Sequence, residues 1–461
     1  MQHSRWPTVS GSLMAYAATL GCLAVSAARA APATVAGFSY VKSFAGIDEY
    51  TEETNGLQVL VKTDHSAPVV TFQVTYRVGS RNEVTGTTGA THLLEHLMFK
   101  GSEHFNDPAG NSVKQYLAAT GGVFNANTSF DRTTYFATIG KDHLEGYVAI
   151  EADRMRNLWL HEADRQAEMT VVRNEFERGE NNPESALMKE VQAMVFMAHP
   201  YHHDTIGWRS DIEHVPIEKL RAFYDTFYWP DNATVAVVGD IDPPEALALV
   251  KKYYGTIPRA PQPIPVVYTV EPPQSGPRRV TLERPGELGA VIVAYKIPDA
   301  RHADLPALEV LGSILSDGKS SRLYPALVDK SLALGTEAGA YRLRDPGMFV
   351  ATVALAPGAT HEQVEKILFA EIERVKSAGV TPNEIGNVVR QYRAAQAYER
   401  DGTANVASAL TEWIAVGDWT LYARYADELA KVTPADVQRV AKAYLDKDQS
   451  TTGWFMPVVT K

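Results

Sequence analysis

At 461 residues, with 45% apolar and 21% charged side chains, the chain has a globular composition and is too long for one ordinary core. Its 55 acidic against 44 basic residues leave a net charge of −11, which argues against nucleic acid or an anionic membrane surface as partner. The single cysteine, Cys22, allows neither a disulfide framework nor a thiolate metal site.

In chain order, His3 and Arg5 precede an uncharged run over residues 13–28, and Ala28-Arg29-Ala30 supplies small residues for cleavage before Ala31. Residues 1–30 therefore read as a secretory signal peptide, and the expected location is export to the periplasm. The alternatives are an uncleaved membrane anchor, for which the run is short and Ala/Ser-rich, and a lipoprotein box at residues 19–22 with Thr19 and Leu20 poorly placed.

Residues 57–61 and 69–76 read as strands rich in β-branched side chains, with a turn at residues 64–68. After a glycine-rich loop at 86–89, Thr91 is the expected cap of a helix that ends near residues 99–101. That helix carries His92, Glu95 and His96. Two histidines at i and i+4 leave the same face one turn apart, which suits two neutral nitrogens on one metal ion. Glu95 points about a quarter-turn away, better placed to act on water than to be a third ligand. The bland alternative is a pair of polar-face histidines.

A helix through residues 116–117 precedes a pair of strands at 121–128 and 133–138, where Gly121 and Gly122 let backbone approach closely. A helical region over residues 143–180 is interrupted near 158–164 and carries Glu168 and Glu175, seven apart and so on one face. Either carboxylate is a candidate third ligand, and a solvated acidic helix is the other reading. A helix at 216–228, a buried strand at 234–240 and a helix through 254 complete the first half.

Seven prolines between positions 258 and 277 mark a stiff linker. The expected organisation is an N-terminal domain over 31–257, the linker over 258–277 and a C-terminal domain over 278–461. The second half repeats the first at an offset of about 217 residues, most clearly where the helix at 434–445 and the strand after it echo 216–228 and its strand. The fold class expected is α+β: two homologous sandwich domains, each a mixed and mainly antiparallel sheet packed with helices, facing one another across a clam-like cleft. The second half has no H-x-x-E-H, so its chemistry has diverged.

The run from His92 through Gly101 resembles the pitrilysin-like metallopeptidases, in particular the branch of mitochondrial processing peptidase and its bacterial homologues. The resemblance continues through Gly121-Gly122, Asn125-Ala126 and Thr128, the Glu168 and Glu175 pair, His199-Pro200-Tyr201 with Gly207, and residues 231–234. It implies that His92, His96 and Glu175 hold one Zn2+ per chain, that Glu95 is the general base, and that Glu168 steadies a ligand. It also implies that Asn125 and Ala126 lie on an edge strand that pairs with the backbone of extended peptide substrates.

The sequence departs from that family in one place. Val328 and Gly335 stand where active members carry an arginine and a tyrosine that bind substrate and the oxyanion. Losing such a donor costs about 2.7–4 kcal/mol. The expectation is a heterodimer whose homologous partner lacks the zinc motif and supplies both groups, with Tyr341, Arg342 or Arg344 as local substitutes. The competing function is a non-catalytic structural or substrate-binding subunit. A P-loop at Gly318-Lys319-Ser320 fails because position 313 is serine, and no G-x-S-x-G elbow is present.

Overall fold

The computed structural model describes residues 34–458, so the signal-peptide reading of residues 1–30 lies outside the described residues. The first half runs β1 (Phe38–Phe44), β2 (Ile47–Glu52), β3 (Gln58–Thr63), β4 (Val69–Tyr76), α1 (Ala90–Leu97), α2 (Val113–Thr120), β5 (Val123–Thr128) and β6 (Thr133–Gly140). It continues through α3 (Leu144–Arg156), α4 (Glu162–Glu180), α5 (Pro183–Val195), α6 (Arg209–His214), α7 (Ile217–Phe227), β7 (Ala233–Gly239) and α8 (Pro243–Tyr254). No helix or strand falls between Tyr254 and Arg278. The second half contains β8 (Arg278–Pro285), β9 (Ala290–Lys296), α9 (Leu305–Ser316), β10 (Ala333–Ala340), β11 (Met348–Leu355), α10 (His361–Ala378), α11 (Pro382–Glu399), α12 (Thr403–Val416), α13 (Leu421–Ala430), α14 (Pro434–Tyr444) and β12 (Thr451–Val458).

Two mixed, mainly antiparallel sheets result, in the orders β1-β2-β3-β7-β4-β6-β5 and β10-β11-β9-β12-β8. The internal repeat is visible in their wiring. The last strand of each half inserts between a parallel neighbour, β3 or β8, and an antiparallel one, β4 or β9. The next two positions outward are β6 and β5 in one sheet and β11 and β10 in the other. Helices α7 and α14 begin 217 residues apart, at Ile217 and Pro434.

Each half lends a helix to the other. Helix α5 packs on β8, β9 and β12, where Gly453 lets it approach so closely that a Cβ would lie 2.4 Å from Val191 Cγ2. Helix α12 packs on β4, β6 and β7. On β4, Val70, Phe72 and Val74 face the apolar core of the first half, while Thr71, Gln73 and Thr75 are buried beneath α12. Gln73 Nε2 donates to Ala407 O at 3.0 Å and to Thr411 Oγ1 at 2.5 Å, so these polar groups are satisfied across the two halves.

One local expectation is corrected. Thr91 does not cap the motif helix: α1 begins at Ala90 after Gly89, which has φ 82°. The Glu83 carboxylate takes the capping role, accepting from Gly89 N at 2.8 Å and from Thr91 N at 2.7 Å. Gly89 is required there, since a Cβ would come within 2.4 Å of the Ile206 carbonyl oxygen. Among the described residues, no helix is long and apolar enough to cross a membrane.

Candidate active site

Helix α1 is amphipathic. Leu93, Leu94 and Leu97 are buried in the core of the first half, which turns His92 and His96 toward α4. From α4, Glu175 reaches both: its Oε2 lies 3.6 Å from His92 Nε2 and 3.8 Å from His96 Nε2. Among the described residues, this is the only trio of histidine, cysteine or carboxylate groups spaced to hold a metal, with ligand atoms within 4.8 Å of one another. The separations are too long for hydrogen bonds and close to the roughly 3.3 Å between two ligands of one tetrahedral ion.

The surroundings fit a cation at that point. Burial, and then the neighbouring His96 ring, push the His92 imidazole down to about 4, so it is neutral at ordinary pH. Its buried Nδ1 has no hydrogen-bond partner among the described residues. His96 Nδ1 lies 2.9 Å from Glu168 Oε2, which orients the ring and leaves its Nε2 lone pair toward Glu175. Glu168 also pairs with Lys100. Burial works against the Glu168 carboxylate, but Lys100 and His96 together hold it below the usual range. The expected face shared by Glu168 and Glu175 is therefore real, and it divides into two contacts. Glu177 points away, toward Arg209 at 3.5 Å.

Glu95 lies apart from the trio. Its Oε2 accepts from Thr128 Oγ1 at 2.6 Å. Burial raises its carboxyl above the ordinary value, the Thr128 bond and His96 pull it back, Glu175 pushes it up, and Arg132 lowers it. Thr128, Lys100 and Arg132 were not picked out from the sequence as site residues. Thr128 had a signal: on a strand it shares a face with Ala126, two residues away.

Strand β5 is the outermost strand of its sheet, paired only with β6 among the described residues. Ala126 is buried on the face toward α1, whereas Asn125 and Asn127 are exposed on the opposite face. Val328 ends a short π-helical turn, Tyr324–Val328, that packs on the second core, and Gly335 lies on β10. Of the local substitutes, Arg342 pairs with Glu309 at 2.9 Å, the backbone N–H of Arg344 donates to Asp131 at 2.9 Å, and Tyr341 packs beside the α5 cluster.

The repeat places α9 against α11 where the first half has α1 against α4. The counterpart space is a cavity of about 210 Å³ lined by Glu309, Ser313, Asp317 and Tyr392, with the Arg342 guanidinium on Glu309.

Known proteins resemble this chain in sequence and fold. Residues 58–207 match the family model described as Insulinase (Peptidase family M16), and residues 214–392 match Peptidase M16 inactive domain. The zinc protease PqqE of Helicobacter pylori is 31% identical over 430 residues, covering 92% of this chain and 96% of that one. The chain belongs to the M16 peptidase family. An M16-type fold is also seen in the crystal structure of a protease from Helicobacter pylori, with TM-score 0.83 and 30% identity over 91% of this chain and 99% of that one. The periplasmic protease PqqL from Escherichia coli shares the fold at TM-score 0.72 and 18% identity, with this chain covering 48% of it. The pitrilysin-like resemblance and the two-sheet α+β class thus stand, and the similarity to a named zinc protease extends over 92% of the chain.

Proposed function

We propose that this M16 chain is a zinc-dependent endopeptidase that hydrolyses extended peptides aligned along β5. The observation that carries the reading is the convergence of His92, His96 and Glu175 beside a buried Glu95 held by Thr128. Those three residues would hold one Zn2+ per chain, and the ion, when bound, supplies Lewis acidity that polarises a carbonyl and acidifies water.

The chain's own residues do the rest. Glu168 and Lys100 fix the tautomer and angle of His96. Glu95 takes a proton from the attacking water and returns it to the leaving nitrogen, and its burial-raised affinity for protons suits both transfers. Along β5, one backbone edge lacks a strand partner among the described residues, so an extended peptide can pair there through Asn125 and Ala126. Val328 and Gly335 supply no oxyanion donor. We therefore infer a homologous partner subunit that lacks the zinc motif and contributes an arginine and a tyrosine. Export through residues 1–30 would place this assembly in the periplasm. The same two positions favour the second reading, a substrate-binding subunit without turnover.

The test is zinc content and peptide turnover of the full chain, alone and co-purified with its partner from the native host, before and after Glu95→Gln. We expect one zinc per chain in both forms, weak turnover alone, restoration by the partner, and a loss of about 10²–10⁴ in the variant. Turnover unchanged by Glu95→Gln would overturn the mechanism, and full activity of the isolated chain would remove the partner. Zinc without turnover in any assembly would select the binding subunit.

A further inference from the structure

Arg132 follows β5 in the turn that leads into β6, and its side chain is almost wholly buried. Its guanidinium bonds Asn127 on β5 with one arm and Glu412 on α12 with the other. The third nitrogen, Nε, is buried and has no hydrogen-bond partner among the described residues. The turn itself is fixed, because the neighbouring Asp131 accepts from Tyr201 Oη at 2.6 Å and from Arg344 N at 2.9 Å. A desolvated cation with an unused donor, at the end of the proposed substrate edge, has chemistry that the described contacts do not exhaust.

Its partner is unlike it. The Glu412 side chain is 54% exposed, against 10% for Arg132. Glu412 also lines a cavity of about 460 Å³ between α11, α12 and α13, which holds the Arg342 guanidinium over the Trp413 ring. The charge of Glu412 already acts on Arg342. The carboxylate therefore stands between two guanidinium groups, one beside the peptidase site and one inside the cavity, with open volume in which to turn.

We propose that Arg132 is a specificity residue that receives a carboxylate of the bound peptide, an acidic side chain or a chain end, and that Glu412 is a built-in placeholder for it. A peptide added to β5 presents alternate side chains to the two faces of the sheet. Those on the face of Asn125 and Asn127 lie on the side of the strand where Arg132 bonds Asn127. A neutral side chain cannot displace Glu412, because that would leave a buried guanidinium unpaired. A carboxylate can, since it replaces the bidentate-capable acceptor that it removes, and Glu412 then turns toward Arg342.

The proposal rests on the peptidase reading, and its test separates the two. Peptide pairs differing only by Glu or Gln at one position, scanned along an extended sequence, are measured with the zinc-loaded full chain and its partner. Two readouts are taken: kcat and KM for turnover, and equilibrium binding by fluorescence anisotropy to the Glu95→Gln protein, which needs no turnover. At one position, or at two positions two apart, Glu should be favoured over Gln by about tenfold, carried by KM. Arg132→Gln should bring that ratio close to one, and Arg132→Lys should restore part of it. Glu412→Gln should raise the ratio further by removing the internal competitor, and its exposed side chain makes that variant the safer to fold. Peptides that bind with a ratio near one in the native protein, or a ratio that survives Arg132→Gln, overturn the subsite and leave the peptidase reading intact. No binding of any peptide at full zinc content overturns both.

Discussion

Replacing Thr128 by valine keeps the volume of the side chain and deletes one hydrogen bond, from Oγ1 to Glu95 Oε2 at 2.6 Å. That bond favours the charged carboxylate, so its loss raises the Glu95 pKa, adding to the upward push of burial. A hydrogen bond to a charged group contributes about 1.5–3 kcal/mol, and one pKa unit corresponds to about 1.4 kcal/mol. The upward movement expected is therefore large enough to resolve in a pH profile. The sign follows from the proposed role of Glu95 as base: a higher pKa leaves less carboxylate at a given acidic pH. The acid limb of kcat/KM should move upward in pH, while the plateau at alkaline pH changes much less. The assay is a fluorogenic peptide followed from pH 5 to 9 in zinc-loaded enzyme, with zinc content measured at each end. A uniform drop in rate with the acid limb unmoved would refute the assignment of Thr128 to Glu95, and with it the account of how the base is tuned.

Glu175→Ala should abolish stoichiometric zinc binding, whereas Glu168→Gln should weaken zinc affinity by about 10–100-fold without removing it; competition with a chelating indicator distinguishes the two. Gly89→Ala should destabilise the protein by about 1–3 kcal/mol or more, because it forces a non-glycine residue to φ 82° against the Ile206 carbonyl; thermal unfolding reads this directly. Asp345 joins the halves by accepting from Arg81 Nε at 2.5 Å and from His199 Nε2 at 3.1 Å. Burial opposes its ionisation, but those two partners hold it down to about 2. A carboxyl lowered from 3.8 to about 2 gives stability that is complete above pH 4 and is lost as pH falls through about 2. Asp345→Asn should flatten that part of the acid-unfolding curve.

The elements legible in the sequence were those whose burial is local. Strand β7, with every residue buried, reads as a continuous apolar run, and α1 declares itself by leucine spacing and its two histidines. The illegible parts are set by contacts distant in the chain. Thr71, Gln73 and Thr75 look like the wet side of β4, yet α12, more than 300 residues onward, covers them. The cap of α1 comes from Glu83, which the Thr91 rule cannot find because its acceptor lies six residues before the helix turn it serves. In the site, the histidine pair and the face shared by Glu168 and Glu175 follow from helical period alone. Arg132 does not, since its meaning depends on Glu412 being brought across from the other half.

The exchange of α5 and α12 gives the two halves the geometry of a split protein. Residues 258–277 contribute no helix or strand, and besides the exchanged helices the halves are joined there by Glu271, which accepts from His199 N and Lys296 Nζ. A chain nicked within that interval should stay assembled and keep the His92, His96 and Glu175 cluster together. Either fragment made alone should be insoluble, its sheet stripped of a cover that only the other fragment carries, and co-expression of both should restore the fold by complementation.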